Sequence, residues 1–230
     1  MWPILLVTPF ALIILIAYTC IIASYYRGWK NIPVFKSNET VADSKLSVVI
    51  AARNEQDTIG HLLSDLSAQT YPHHLFEILV VDDGSNDNTA VTVMPYSSRL
   101  PLRLITISHS GKKAAILKGV LDARHNLIVL TDADCRLNPG WLLSIASFYE
   151  SVQPDMIIGP MMKNNGRGFL YAFQSLDLYS MVVSGAGATY LNKPVLCNGA
   201  NLAFRKDILQ LLSDPLFSHT PSGDDIFFML

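Results

Sequence analysis

Two carboxylates, Asp132 and Asp134, follow a short apolar run that begins at Leu127. The run is bounded by polar residues, so it predicts a buried strand that ends in a polar turn. In an open α/β sheet, ligands collect at the carboxyl ends of the strands. Two carboxylates there repel each other unless a positive charge lies beside them, and hard divalent cations take oxygen ligands. The pair indicates a site for a divalent cation that carries a diphosphate, although surface turns often produce the same spacing.

Two other polar turns follow predicted strands in the same way. Asn54-Glu55 comes after the apolar run Leu46–Ala51. Asp82-Asp83 comes after Phe76–Val81. Because parallel strands place their carboxyl ends at one edge of a sheet, we expect the three acidic turns to form one site. The alternative for Asp82-Asp83 is a local turn with Gly84, and two adjacent residues can serve both purposes.

The elements that would position these turns alternate between strands and helices. This alternation predicts an α/β fold with a mostly parallel, Rossmann-like sheet, wound right-handedly and flanked by helices. The predicted strands are Leu46–Ala51, Phe76–Val81, Leu102–Ile107, the run from Leu127, and Met156–Pro160. The predicted helices begin near Asp57, Asn86 and Gly111 and cover Pro139–Glu150, Phe169–Ser184 and Asp207–Leu212, with a flexible break at Ser184–Ala188.

Composition limits the classes of protein that the chain can belong to. The 230 residues suffice for one α/β domain with an additional element, and the net charge of −2 gives no sign of a nucleic-acid-binding surface. Cys20, Cys135 and Cys197 have no metal-ligand spacing and fit reduced thiols better than a disulfide framework. The six histidines, His109 among them, also lack metal-ligand spacing, and we expect them at the surface or in structural roles.

The beginning of the chain predicts a membrane anchor. No charged side chain occurs from Trp2 to Tyr26, and at 1.5 Å per residue this stretch exceeds the ~30 Å hydrocarbon core. A cleavable signal peptide would need a basic start and a small-residue cleavage site, and neither is present. Basic residues, beginning with Arg27 and Lys30, dominate the segment that follows. The positive-inside rule therefore predicts one membrane pass through the inner or plasma membrane, with the remainder in the cytoplasm.

We divide the chain into an anchor, 1–28, a juxtamembrane linker, 29–45, and an α/β domain, 46–230. The sequence ends in an apolar run that follows Gly223-Asp-Asp225. Because an apolar run that begins a helix is an unusual natural terminus, we expect a truncated chain.

Six segments, taken in order, resemble the inverting family 2 glycosyltransferases with a GT-A fold. The resemblance runs from about Leu46 to Leu230, which is nearly everything outside the apolar start. The segments are Ser47–Glu55, Val80–Asp87, Gly111–Gly119, Thr131–Asp134, Asn198–Arg205 and Gly223–Asp225. Each motif alone is weak, but six in this order at family-like spacing are specific. The Gln-x-x-Arg-Trp motif of the processive members is absent from the sequence.

The resemblance implies that residues 46–135 bind a nucleotide-sugar. It favours Asp83 as the contact for base and ribose, with Asp82 beside it, and it gives Asp134 the role of direct metal ligand for Mg²⁺ or Mn²⁺. Asp132 is then the partner of the ribose, the metal or a metal-bound water. The remaining donor-side candidates are Ala52, Arg53, Glu55, Lys112 and Lys113. The two lysines begin a helix, where backbone N–H groups suit an anion, although lysines are more often simply solvated.

The resemblance also implies that residues 136–230 bind the acceptor, through Asn198, Gly199 and Asn201. It places the general base on Asp225, where one displacement would invert the anomeric configuration. Asp224 replaces the usual glutamate of the family, which keeps the charge but shortens the side chain by one methylene. The alternative for Gly223-Asp-Asp225 is an acidic N-terminus of the helix that would follow.

We interpret the chain as a membrane-anchored glycosyltransferase that uses a UDP-sugar to extend a lipid-linked or polysaccharide acceptor, without a nucleic-acid partner. One alternative is a nucleotidyltransferase, but the turn Ala52-Arg-Asn-Glu55 lacks the glycine-rich sequence which that class needs after its first strand. The other alternative is a membrane-anchored protein that binds nucleotide or carbohydrate at an inactive site. The sequence does not identify the sugar or the acceptor.

Overall fold

The computed structural model describes residues 2–35, 42–163 and 166–211, and the chain divides into two units. The sheet unit comprises Phe35–Pro160 and the described residues from Asn198 onward. The helical unit comprises Met1–Val34 and Met161–Cys197. The helical unit therefore combines the start of the chain with a long insertion between two strands of the sheet.

The sheet unit contains six strands in the order β3-β2-β1-β4-β6-β5. The four strands β3, β2, β1 and β4 are parallel, and β6 runs antiparallel to both of its neighbours. The expected mostly parallel α/β sheet is confirmed. The strands are β1 Leu46–Ala52, β2 Phe76–Asp82, β3 Leu102–Thr106, β4 Leu127–Leu130, β5 Met156–Ile158 and β6 Leu202–Arg205.

Helices follow the strands of the parallel half and cover the sheet. The α-helices of the sheet unit are α2 Ile59–Ser67, α3 Thr89–Val93, α4 Lys112–Asp122 and α5 Trp141–Val152, and those of the helical unit are α1 Trp2–Lys30 and α6 Phe169–Tyr190. Helix α2 buries the residues that the sequence spaces at i, i+3, i+4 and i+7, starting with Ile59. Gly119 of α4 lies directly on β1, where a methyl group would overlap the side chain of Val49.

Short 3₁₀ turns replace one predicted helix. Residues Lys206–Leu211 form a 3₁₀ helix instead of the predicted α-helix over Asp207–Leu212. The carboxylate of Asp207, in the first turn of this helix, forms an ion pair with Arg205. The other 3₁₀ helices are His73–Leu75, Met94–Ser98 and Gly199–Asn201.

The end of the predicted linker belongs to the sheet unit. Ala42 is buried, and the backbone N–H groups of Asp43 and Ser44 both donate to Glu150 Oε1 of α5 at 2.8 Å. The Tyr71 hydroxyl donates to the Ser44 carbonyl at 2.6 Å. These contacts fix the chain just before β1, so the last linker residues do not act as a free tether.

The predicted flexible break at Ser184–Ala188 is wrong. Helix α6 continues through this segment to Tyr190, and Gly185, Gly187 and Ala188 are buried. A methyl group at Gly187 would overlap the Tyr25 carbonyl oxygen of α1. The glycines therefore permit close packing of two helices. The prediction was based on glycine content alone and took these residues as a sign of flexibility.

Candidate active site

The three acidic turns meet around one cavity of about 300 Å³ at the carboxyl ends of β1, β2 and β4. The sheet order explains this arrangement, because β1 lies between β2 and β4 and all three run in the same direction. The lining residues are Ala51, Ala52, Arg53, Glu55, Asp83, His109, Gly111, Lys112, Asp132, Ala133 and Asp134. Most of the donor-side residues predicted from the sequence thus share one cavity.

The adjacent carboxylates of the second turn have different surroundings. Asp82 Oδ1 accepts hydrogen bonds from the backbone N–H and the hydroxyl of Ser85, so this carboxylate stabilises a local turn. Asp82 does not line the cavity, whereas Asp83 does. Gly84, which follows them, has a φ of 67°, and a Cβ atom there would lie 3.1 Å from the His109 backbone nitrogen. The turn and the loop before α4 therefore approach closely only because residue 84 is glycine.

Asp83 organises the loop that leads into α4. Its Oδ1 accepts from the Ser110 N–H at 2.6 Å, and its Oδ2 accepts from the Gly111 N–H at 3.0 Å. The same Oδ2 lies 2.8 Å from His109 Nδ1. Burial raises the pKa of the Asp83 carboxyl, but the hydrogen bonds from Ser110, His109 and Gly111 together outweigh it and hold the pKa below its ordinary value. Asp83 is therefore ionised and oriented toward the cavity.

His109 links Asp83 to Arg53. Its Nε2 lies 2.6 Å from Arg53 Nη1, and a guanidinium can only donate hydrogen bonds. His109 Nε2 must therefore accept, which leaves the proton on Nδ1, where it is donated to Asp83. The expectation that all six histidines are structural or superficial missed this cavity residue. The position of His109 in the sequence could have indicated its role. It lies in the loop after β3, at the sheet edge where the acidic turns were predicted to meet.

Asp132 and Asp134 both line the cavity, while Ala133 between them is buried. Lys112 Nζ donates to Asp132 Oδ1 at 2.8 Å, so the lysine already provides one positive charge beside the carboxylates. Among the described residues, no group of three or more histidine, cysteine or acidic side chains could hold a metal. Two carboxylates fit a Mg²⁺ or Mn²⁺ ion whose other ligands are diphosphate oxygens or water, because such ions rarely have all-protein cages. Lys113 is not among the lining residues.

The loop after Asp134 is fixed by α2. The Asp65 carboxylate accepts from Arg136 Nε at 2.6 Å, from Arg136 Nη2 at 2.9 Å, and from the Leu137 backbone N–H at 3.0 Å. The hydrogen bond from Arg136 lowers the pKa of Asp65. This two-pronged ion pair holds the loop immediately beyond the two cavity carboxylates, which limits how far Asp134 can move.

Glu55 also has local partners. Its Oε2 accepts from the Thr58 hydroxyl at 2.5 Å, and its backbone N–H donates to the Thr89 hydroxyl at 2.8 Å. These contacts join the turn after β1 to the starts of α2 and α3. Glu55 thus lines the cavity from a fixed position.

The predicted acceptor-side residues lie outside the lining of this cavity. Asn198 Oδ1 accepts from the Ala200 N–H at 3.1 Å and forms a local turn, with Gly199 in the 3₁₀ helix that follows. The Asn201 side chain accepts from Trp141 Nε1 at 3.0 Å and donates to the Pro160 carbonyl at 2.9 Å. Both ends of that amide therefore serve to position β6. Asp224 and Asp225 lie outside the described residues.

Comparisons with known proteins find a family profile and several curated relatives. The profile of the family described as Glycosyl transferase family 2 matches residues 47–212. Dodecaprenyl-phosphate galacturonate synthase from Rhizobium johnstonii is 33% identical over 132 residues, which are 55% of this chain and 39% of that protein. Glycosyltransferase AglE from Haloferax volcanii is 26% identical over 183 residues, which are 79% of this chain and 59% of that protein. The chain thus spans less than two thirds of either relative.

Solved structures show the same fold. The mannosyltransferase PcManGT from Pyrobaculum calidifontis, in complex with GDP-Man and Mn²⁺, has a TM-score of 0.71 at 20% identity, and the match covers 92% of this chain and 59% of that chain. Residues 1–349 of S. aureus TarS, in complex with UDP-GlcNAc, have a TM-score of 0.62 at 23% identity. That match covers 80% of this chain and 52% of the TarS chain. At these identities the likeness concerns the fold alone.

Proposed function

The chain belongs to glycosyl transferase family 2, and from this premise we propose that it transfers a sugar from a UDP-sugar to an acceptor hydroxyl, with inversion. The observation that carries the proposal is the meeting of Asp83, Lys112 and the pair Asp132 and Asp134 around one cavity at the sheet edge. A nucleoside diphosphate that carries a metal ion requires three kinds of group. Asp83 is suited to the nucleoside, the Lys112 ammonium to the phosphates, and the two carboxylates to the metal ion.

We assign the nucleoside end of the donor to Asp83 and its neighbours. Asp83 Oδ1 accepts only the Ser110 N–H among its described hydrogen bonds, so one of its lone pairs remains available for a uracil N–H or a ribose hydroxyl. Arg53, held by His109, presents guanidinium donors that suit the carbonyl oxygens of a base or a phosphate. Ala52 and Glu55 form the adjoining wall.

We assign the diphosphate end to Lys112, Asp132 and Asp134. When bound, Mg²⁺ or Mn²⁺ supplies Lewis-acid stabilisation of the negative charge on the departing diphosphate. Lys112 adds a positive charge at the first turn of α4, and its ion pair with Asp132 orients that carboxylate. Because Asp132 already bonds to the lysine, Asp134 is the carboxylate that we assign to the metal directly.

Transfer needs a base on the face of the sugar opposite the diphosphate. We propose that Asp225 accepts the proton of the acceptor hydroxyl while the bond between the sugar and the diphosphate breaks. One displacement of this kind forms no covalent intermediate with the enzyme, so the product has the opposite anomeric configuration. We propose that Asn198, Gly199 and Asn201 belong to the acceptor side. Asn201 would have a positioning role there, because its side chain accepts a hydrogen bond from Trp141.

We propose a lipid-linked or polysaccharide acceptor and a membrane location. The name of the Rhizobium relative specifies a polyprenyl phosphate for that protein. Helix Thr8–Lys30 is the one helix among the described residues that is long and apolar enough to cross a membrane, with a mean hydropathy of 1.9. Such a helix would attach the chain to the bilayer in which a lipid-linked acceptor is confined, and we propose that the sheet unit is cytoplasmic.

The proposal is tested with the full chain in detergent, a panel of UDP-sugars and a panel of GDP-sugars, by following release of the nucleoside diphosphate with and without Mn²⁺. We expect release from UDP-sugars that stops on chelation. Asp134→Asn should lower the metal-dependent rate about a hundredfold, the typical cost of losing one charge-stabilising group. The matched control is Asp122→Asn, a carboxylate at the far end of α4, which should leave the rate unchanged.

Two outcomes would contradict the proposal. Metal-dependent release that survives Asp134→Asn would show that the metal is held elsewhere. Measurable UDP binding without release from any nucleotide-sugar would favour the binding protein with an inactive site.

A further inference from the structure

Helix α6 exposes a set of large apolar side chains that a water-soluble protein would cover. Phe169, Leu170, Phe173 and Leu176 are 87%, 68%, 60% and 66% exposed. The rings of Phe169 and Phe173 stack on each other at a centroid distance of 6.5 Å, one turn apart. Contiguous exposed apolar patches on single chains mark contact with another protein or with a membrane.

The same helix packs closely against α1 within the helical unit. A methyl group at Gly28 would overlap the Gly187 carbonyl, and a methyl group at Gly187 would overlap the Tyr25 carbonyl. Trp29 and Tyr179 meet edge to face at a centroid distance of 6.2 Å. Backbone contact through small residues is typical of helices that associate in lipid, where close packing replaces the hydrophobic effect.

The crossing point lies at the end of α1 where a membrane surface is expected. Helix Thr8–Lys30 has the length and hydropathy of a membrane span, and its last two turns carry Tyr25, Tyr26 and Trp29 followed by Lys30. Aromatic and basic residues of this kind mark the boundary between hydrocarbon and water. Because Tyr179 and Gly187 of α6 contact α1 at residues 25–29, the C-terminal half of α6 lies at that boundary.

The chain path excludes a second crossing by α6. The segment that contains α6 leaves the sheet after β5 and returns to it at β6, and these two strands pair with each other. Both ends of the segment are therefore on the same side of the membrane. Residues 193–198 form neither helix nor strand. Only residues 191–198 lie between the end of α6 and the next 3₁₀ helix. Even fully extended, a segment of this length falls short of the ~30 Å hydrocarbon core, so it cannot carry the chain back across the bilayer.

Charged residues flank α6 on both sides. Lys163 and Arg167 precede it, and Lys193 follows it. The Lys163 ammonium bonds to the Gln174 side chain and lies 5.7 Å from the centre of the Tyr171 ring, so it remains next to the helix. Cations at the ends of an apolar helix suit the phosphate groups of anionic lipids.

We propose that α6 is a second membrane contact, which lies in the interface of one leaflet with Phe169, Phe173 and Leu176 in the lipid. The occupant of the exposed apolar face is the cytoplasmic leaflet itself. This proposal rests on α1 as the membrane span, and it is independent of the donor and of the transfer reaction. Its consequence for the enzyme is that the insertion between β5 and β6 lies at the lipid surface.

The proposal is tested with the full chain in lipid nanodiscs of phosphatidylcholine and phosphatidylglycerol. The three native cysteines are replaced by alanine, and Phe173→Cys is labelled with an environment-sensitive fluorophore. The matched control is Gln174→Cys, on the neighbouring residue that bonds to Lys163, and Asp122→Cys on α4 supplies the aqueous reference. Circular dichroism and UDP binding establish that each variant is folded, and Leu176→Cys replaces Phe173→Cys if the latter is not.

We expect blue-shifted emission from the probe at position 173 and quenching by nitroxides near the lipid headgroups at least threefold stronger than at position 122. Quenching at position 174 should be intermediate. A probe at position 173 that behaves like the one at position 122 would overturn the proposal. Absence of quenching, together with a disulfide that links two unlabelled Phe173→Cys chains at this position, would also overturn it, because the apolar face would then bind a second copy.

Discussion

At the scale of single residues, the cavity is organised by one chain of hydrogen bonds. Asp83 accepts from the backbone of the loop before α4 and from His109, and His109 accepts from Arg53. The carboxylate fixes the histidine tautomer, and the histidine fixes the guanidinium. Arg53 is exposed and would otherwise sample many rotamers, so the contribution to donor binding that we propose for it depends on a residue that need not touch the donor.

His109→Ala should therefore weaken donor binding more than it slows transfer. The loss of one hydrogen bond to a charged group costs about 1.5 kcal/mol, which corresponds to about a tenfold increase in the donor KM. The measurement is steady-state kinetics of UDP release as a function of UDP-sugar concentration. The control is His74→Ala, an exposed histidine of a 3₁₀ helix on the same unit. An unchanged donor KM would show that Arg53 is positioned without His109.

At the scale of elements, the two edges of the sheet have different roles. The carboxyl ends of the strands carry the cavity, whereas a buried carboxylate, Glu77, lies near the amino ends. Its Oε1 accepts from the Ser47 hydroxyl at 2.8 Å and from the Arg124 N–H at 2.6 Å, and its Oε2 pairs with Arg103 at 3.1 Å. Burial raises the pKa of Glu77, but these donors outweigh it and hold the pKa below its ordinary value.

Glu77→Gln should destabilise the fold by about 1–3 kcal/mol at pH 7, because an amide NH₂ would face donors. A carboxyl whose folded pKa is lowered contributes stability above its unfolded pKa of about 4.3, and this contribution is lost as the pH falls through the folded pKa. The stability gap between the wild type and the variant should therefore stay nearly constant from pH 7 down to about pH 5 and shrink as the pH falls below about 4.3. Urea denaturation at pH 7, pH 5 and pH 3 measures the gap, with Asp122→Asn as the surface control. A gap that widens on acidification would contradict the assignment.

The helical unit depends on the close approach of α1 and α6. Gly187→Ala should lower the melting temperature of the detergent-solubilised chain, because the new methyl group would overlap the Tyr25 carbonyl. This overlap should outweigh the helix propensity of alanine, which exceeds that of glycine by up to about 1 kcal/mol. Gly185→Ala is the matched control in the same helix, since the nearest atom to its methyl group is the Leu196 Cβ at 3.2 Å. Equal effects of the two substitutions would show that the two helices do not need this contact.

At the scale of the whole molecule, we propose that donor binding and acceptor activation belong to different parts of the chain. The donor cavity is built by the parallel strands β1, β2 and β4, and the proposed base lies near the C-terminal end of the sequence. The proposed membrane contacts occupy the start of the chain and the insertion between β5 and β6.

Asp225→Asn should separate donor binding from transfer. We expect UDP affinity within about twofold of the wild type, because we assign UDP binding to other residues, and a loss of transfer of at least about a hundredfold, typical of a missing general base. Calorimetric titration with UDP and the rate of sugar transfer provide the two measurements. Asp224→Asn is the neighbouring control. Transfer that survives Asp225→Asn but stops in Asp224→Asn would move the base by one residue.

The sequence by itself determined the strands of the parallel half, the edge at which the acidic turns meet, and the apolar first helix. Each of these follows from local patterns, because a buried parallel strand needs an apolar run and parallel strands share the edge where they end. The family resemblance followed from the order of the same turns. The comparisons confirm the family and the fold, and the residue roles stay predictions.

Only the tertiary structure decided which groups touch. Asp83 and His109 are 26 residues apart in the sequence. Helix α3 and strand β3 lie between them, so no helical or strand periodicity in the sequence predicts their contact. The different partners of Asp82 and Asp83 depend on where the loop before α4 passes. The sequence placed Gly187 in a flexible break, whereas the structure packs it against α1. Local propensity reflects the conformational freedom of a glycine, but it carries no information about a neighbouring helix that requires a small residue. Asp132 and Asp134 could be located from the sequence alone. The contacts that fix their loop, from Lys112 and from Asp65 of α2, could not be predicted from it.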